Sequence, residues 1–255
     1  MKRQRHTWIL FLITLCLVAA QAGVSASAES SKKTKAMREI VYDKLSKAQQ
    51  ATEDGDWEEA FEQLEKLEKM NDLAPHEKAQ LYTAYGYTYD SQEKYADSAA
   101  AYEKVLQQED LSDAMRSGTL YTLGQLHFHL ENYEVALGHL ESWLETVDNP
   151  GPEPYILMGQ ALYQLGRLNE AAAPVQQAIA VAEQRDQEPK ENWYALLRVI
   201  YFETQDYDNL LDVLEVLVTR YPSKEYWLHL ASAFGEMDDP RRQLAVYEMA
   251  YAQGY

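Results

Sequence analysis

Two clusters of residues invite a chemical reading. His127, His129 and His139 stand close together in the chain, and Glu58, Glu59, Glu62, Glu65 and Glu68 crowd another stretch. Clustered histidines can hold a metal, and paired carboxylates can move protons. The spacing supports neither. His127 occupies a packing position of a helical pattern, His129 points to a different face, and no His-Glu-x-x-His occurs. The glutamates interleave with Lys66 and Lys69 as i,i+4 pairs, the mark of a solvated helix face. Glycines are scattered singly, so no phosphate-cradling loop exists, and there is no Gly-x-Ser-x-Gly elbow. Cys16 is the sole cysteine. It lies inside an apolar run behind Leu15, where a lipidated cysteine would need a small residue. We therefore expect no catalytic residue, no cofactor, no metal, no small-molecule substrate and no disulfide; the chain reads as a protein that is not an enzyme.

The N-terminus suggests where the chain works. Lys2, Arg3 and Arg5 precede the apolar run Trp8 to Ala20, followed by Ala20-Gln21-Ala22 and Ala26-Ser27-Ala28. This is the layout of a secretory signal peptide, residues 1–28, with cleavage after Ala28 favoured over Ala22. A polar, disordered leader is expected at 29–36. The expected location is the periplasm of a bacterium, ahead of an extracellular one, with no membrane span after cleavage. Beyond residue 28 there remain 20 basic against 41 acidic residues, a net charge of −21. Such a surface repels phosphate backbones, so nucleic acid is not an expected partner.

These side chains must be carried by helices, and the sequence repeats them. Six anchors recur: "GDWEEA" from Gly55, "EKYADS" from Glu93, "ENYEVA" from Glu131, "GRLNEA" from Gly166, "QDYDNL" from Gln205 and "DDPRRQ" from Asp238. Their third residues are separated by 38, 38, 35, 39 and 33 positions. Around each anchor, apolar residues at i, i+3/i+4 and i+7 build one stripe per helix. In the third copy these are Leu120, Leu123, Gly124, His127, Tyr133, Ala136, Leu140 and Trp143. Gly86, Gly124, Gly159 and Ala231 fall where two helices must meet closely. Pro75, Pro150, Pro152, Pro189 and Pro222 fall between pairs. In the fifth copy Arg198 replaces the small residue: either the stripe opens there, or the guanidinium reaches a carboxylate. We expect a structural ion pair rather than a ligand contact. The first copy carries Lys44 where four of the others start with an aromatic residue, as suits a solvated terminal copy. No strand pattern occurs. A helix pair cannot bury its stripe alone, whereas stacked pairs can.

The pattern resembles the tetratricopeptide repeat, a helix-turn-helix of about 34 residues. The expected fold is all-α: a right-handed α-solenoid over 37–255, with about six repeats near 41–74, 79–111, 117–149, 152–184, 191–222 and 224–255. The resemblance implies a concave groove lined by the first helix of each pair, which contacts peptides through positions off the packing stripe. Carried onto this chain these are Tyr87, Tyr121, Gln125, Phe128, Ile156, Gln160, Tyr163, Asn192 and Phe202. Phe128, Tyr163 and Phe202 are equivalent, as are Gln125 and Gln160. Aromatic rings supply contact area and amides can pair with a peptide backbone. The same aromatic rings could instead fill the space between copies. The Lys and Asn arrangement with which chaperone-binding relatives clamp a C-terminal carboxylate is missing.

Three blocks, "TLYTLGQLHF", "NPGPEPYILMGQALYQLGRLNEA" and "KENWYALLRVIYFETQDYDNLLDVLEVLVTRYPSKEYWLHLASAFGE", are similar to periplasmic tetratricopeptide proteins associated with TonB energy-transduction systems of Gram-negative bacteria. The similarity spans roughly Tyr42 to Tyr255. It implies a non-catalytic scaffold that binds a protein or peptide, a TonB-system component being the implied partner, in support of TonB-dependent uptake. Such proteins continue through further repeats, whereas this sequence stops at "YAQGY" without a polar capping helix. The alternative expectation is therefore an assembly component of an envelope complex that docks, or self-associates, through its C-terminal repeat.

Overall fold

The computed structural model describes residues 36–255. The expected signal peptide, and the leader up to residue 35, lie outside the described residues. Twelve helices and no strand make up the described part: α1 (Glu39–Asp54), α2 (Trp57–Glu68), α3 (Pro75–Ser91), α4 (Tyr95–Leu106), α5 (Asp113–His129), α6 (Tyr133–Leu144), α7 (Glu153–Gln164), α8 (Leu168–Gln184), α9 (Glu191–Glu203), α10 (Tyr207–Arg220), α11 (Lys224–Glu236) and α12 (Pro240–Ala252). The all-α helix-pair architecture read from the repeat is the one observed. No helix among the described residues is long and apolar enough to cross a membrane.

Every pair turns in the same way. The first residue of each anchor is left-handed: Gly55 (φ 77°), Glu93 (60°), Glu131 (60°), Gly166 (71°), Gln205 (57°) and Asp238 (55°). The following N–H groups, of Asp56, Lys94, Asn132, Arg167, Asp206 and Asp239, each donate to the carbonyl five residues back at 2.8–3.0 Å. This is the bond of a Schellman stop, which satisfies carbonyls that the ending helix leaves open. Asp56, Asp206 and Asp239 then cap the next helix by accepting from the N–H three residues on. Glycine holds the strained position only twice, so the turn is imposed by packing on both sides as well as by residue type.

The chain divides into two compact units, one ending at Thr122 and the other beginning at Leu123. In the first, α1–α2 and α3–α4 pair, and α3 packs on both α1 and α2. Its core holds Val41, Leu64, Leu67, Leu81 and Tyr85. Several of its buried polar groups are paired: Thr52 and Thr88 share a hydroxyl hydrogen bond of 2.9 Å, and the Ser98 hydroxyl donates to the Gly86 carbonyl at 2.8 Å. The largest electrostatic feature is Glu77, only 1% exposed in the first turn of α3. It accepts from Arg38 Nε (2.9 Å) and Nη2 (2.7 Å), from the Arg38 N–H (3.2 Å) and from the Ala74 N–H (3.0 Å). Asp72 takes Arg38 Nη1 at 2.7 Å. These partners hold the Glu77 carboxyl at about 2, well below its ordinary value, against the opposing effect of burial.

In the second unit, α7–α8, α9–α10 and α11–α12 pair, and each later pair packs on the one before. Its core runs through Leu162, Val175, Trp193, Leu197, Ile200, Leu214, Leu217 and Leu230.

Candidate functional site

Small residues on the first helix of a pair let the second come close. A Cβ on Gly86 would stand 2.6 Å from the Tyr102 ring, and one on Gly159 would run into Val175. Each glycine faces a residue sixteen positions on. In the fifth pair the same relation joins Arg198 on α9 to Leu214 on α10. A guanidinium stem cannot occupy the space of a hydrogen atom, so α9 and α10 pack less closely than α1–α2, α3–α4, α7–α8 or α11–α12. The result is a cavity of about 170 Å³, lined by Arg198, Phe202, Leu210, Leu214, His229 and Ser232.

The expected structural ion pair of Arg198 is not there. Arg38, Arg167, Arg220 and Arg242 each meet a carboxylate. Arg198 meets none among the described residues, and its Nε, though buried, has no hydrogen-bond partner. The stripe opens instead, because none of the carboxylates around this pair comes within reach of a guanidinium held between three helices. An unmet buried donor costs roughly 1–3 kcal/mol, more when charged. His229 adds a second such atom, its buried Nδ1. Burial, and then the Arg198 charge, lower the His229 pKa, so its ring is neutral at pH 7. Trp227 Nε1 is also buried and unmet, but it does not line this cavity.

The residues taken from the resemblance fare unequally. Tyr87 and Tyr121 fall in the first unit, both half-buried; burial raises the Tyr87 pKa. In the second unit Gln125 and Asn192 are exposed and Gln160 is half-buried. Phe128 packs edge-on against Tyr133, with ring centroids 5.3 Å apart, and joins the rim of the core. Ile156 is 8% exposed and belongs to the core of the second unit, which removes it from any solvent-facing set. Tyr163 on α7 donates to Glu203 Oε1 on α9 at 3.0 Å, so these positions of successive pairs are neighbours. Phe202 beside Glu203 is 49% exposed and forms one wall of the cavity. Sequence reasoning named Phe202 and missed His229 and Ser232, whose only signal was their place on α11 opposite Arg198. The His127 and His139 rings stack with centroids 5.4 Å apart, whereas His129 is exposed.

The geometry of these helix pairs is that of a known repeat. The fold is that of a tetratricopeptide-repeat protein. The tetratricopeptide-repeat family model matches residues 79–109, which cover most of α3 and α4. Among solved tetratricopeptide-like structures, the chain is similar to YrrB, described as a TPR protein with an unusual peptide-binding site. The match has 22% identity and a TM-score of 0.57, and covers 73% of this chain and 89% of that one. It is similar to a tetratricopeptide repeat protein from Parabacteroides merdae (17% identity, TM-score 0.57, 86% of this chain and 81% of that one). It is also similar to MamA (18% identity, TM-score 0.55, 68% and 90%). At these identities the likeness is one of fold. No curated protein matches the sequence.

Proposed function

We propose that this chain is a non-catalytic scaffold that binds a protein segment along the first helices of its repeats. The observation that carries this reading is Phe202, a large aromatic side chain half in solvent at the position equivalent to Phe128 and Tyr163. A ring that the core does not claim, beside a polar neighbour and an open cavity, is suited to anchor a partner at small entropic cost. Gln125, Gln160 and Asn192 supply amides for an extended backbone. YrrB, similar in fold, is described as having a peptide-binding site, and that use is carried here as part of the proposal. In its finer form the scaffold works in the periplasm, delivered by the segment 1–28, and assists TonB-dependent uptake by holding a TonB-system component; the three similar blocks support this.

A second reading rests on α12, which exposes Leu244 (58%), Tyr247 (45%), Met249 (47%) and Tyr251 (84%). This apolar face suits assembly with a second copy or a larger envelope complex. One experiment separates the two. The full chain is expressed in its source cell with a photoreactive side chain at Phe202, at Tyr163 or at Tyr247. A discrete product from Phe202 and Tyr163, identified by mass spectrometry, is the expected result. Products from Tyr247 alone, or only self-crosslinks, would overturn the groove reading in favour of assembly.

A further inference from the structure

We propose that the cavity between α9, α10 and α11 accepts a carboxylate, which Arg198 binds. Its size sets the scale of the ligand. At 170 Å³ it holds the volume of five or six waters at about 30 Å³ each, and it is smaller than the roughly 300–1,000 Å³ of sites that engulf a whole small molecule. One side chain, one chain terminus or one small acid fits.

The lining sets the chemistry. Phe202, Leu210 and Leu214 give apolar walls, which suit methylene groups. Arg198 brings a cation whose buried Nε has no acceptor from the protein, so a ligand oxygen in the cavity would find a donor there. His229 Nδ1 is likewise unmet, and the Ser232 hydroxyl lies on the same wall. These three groups suit the two oxygens of a carboxylate. The charge balance favours a monoanion over a phosphate. His229, held neutral by burial and by Arg198, adds no positive charge. The chain as a whole carries −18, so its net field repels a dianion more strongly than a monoanion. The sequence explains why a cavity opens at this pair: Gly86, Gly124, Gly159 and Ala231 stand in four other pairs where this one places Arg198.

Three sources share this chemistry: an acidic side chain of a bound peptide, a peptide C-terminus, and a small free acid. The peptide sources rest on the groove reading above; the free acid does not. The test is an NMR titration of the whole chain, following Arg198 Nε–H, the His229 ring and the Ser232 amide. The probes are acetyl-aspartyl-methylamide, acetyl-alanine and acetate; acetyl-asparaginyl-methylamide and chloride at matched ionic strength are the controls. Saturable shifts with carboxylates and none with the controls are expected. The strongest carboxylate identifies the source, and acetate binding as well as the others would point to a free acid. Arg198→Gln should weaken binding about tenfold or more. Arg198→Gly restores the residue that other pairs use, so it should keep the dispersed spectrum of the fold and abolish the His229 and Ser232 shifts. Absence of a saturable shift with any carboxylate, or equal shifts with the amide or with chloride, would overturn the proposal. Carboxylate binding without crosslinks from Phe202 would retain the cavity's role while sinking the groove reading.

Discussion

Arg38 in the first unit and Arg198 in the second are both drawn into the protein, and they differ in what meets them. Arg38 finds the buried Glu77 and the exposed Asp72, with four donors converging on Glu77. Arg198 finds no carboxylate, and the Nε it buries has no acceptor. The first arrangement completes itself and ties the entry of α1 to the start of α3. The second leaves a cation facing a cavity with apolar walls. The buried Glu77 carboxylate that the fold satisfies is structural; the buried Arg198 Nε that the fold leaves unmet, at a place with room, is the basis of the carboxylate proposal.

This contrast can be broken by mutation. The largest effect should come from Glu77→Ala, which leaves Arg38 with Asp72 alone and the Ala74 N–H without its acceptor; urea unfolding should show a loss of about 3 kcal/mol. Acid should reproduce part of that loss. The folded-state pKa of Glu77 is depressed to about 2 from an ordinary 4.5. Its contribution, about 3 kcal/mol at most, is therefore complete above about pH 4.5 and disappears as the pH falls towards 2. Stability measured against pH should drop through that window in the wild type and more shallowly in Glu77→Gln.

Gly159→Arg, which copies the fifth pair's residue into the fourth, should cost about 1–3 kcal/mol, because it meets Val175 without the accommodation that α9 and α10 have made. Phe128→Ala should lower the melting temperature more than Phe202→Ala. The first ring packs on Tyr133 and the second is half in water, so the loss at Phe202 should stay under about 1 kcal/mol while partner binding suffers. The smallest effect is expected for Gln205→Gly. It relieves a left-handed non-glycine turn but loosens the unfolded chain, and calorimetry should place it within about 1 kcal/mol of the wild type.

The fold was largely legible, because the repeat writes it six times. The anchors each open on the left-handed residue of a helix-ending turn, and Gly86 and Gly159 mark real helix-helix contacts. What escaped was whatever depends on the meeting of distant segments. Arg38 and Glu77 stand 39 residues apart, and nothing local in either signals the pair. Arg198 announced itself as an exception to the repeat. Whether an acid lay within reach, however, was decided by the spacing of three helices. Ile156 shows the limit of carrying a position across copies: three residues before Gly159 it is 8% exposed, whereas Leu228, three residues before Ala231, is 47% exposed.

The measurement that tests the account most directly is denaturant unfolding of the wild type, Arg38→Gly and Arg198→Gly, each with and without acetyl-aspartyl-methylamide. Arg38→Gly leaves the buried Glu77 carboxylate without its cation, so it should lower stability clearly, and it should still gain stability from the probe. Arg198→Gly should match the wild type within about 1 kcal/mol and gain nothing from the probe. Loss of stability in Arg198→Gly equal to that in Arg38→Gly, or stabilisation by the probe that survives Arg198→Gly, would contradict the claim that one arginine builds the fold and the other awaits a ligand.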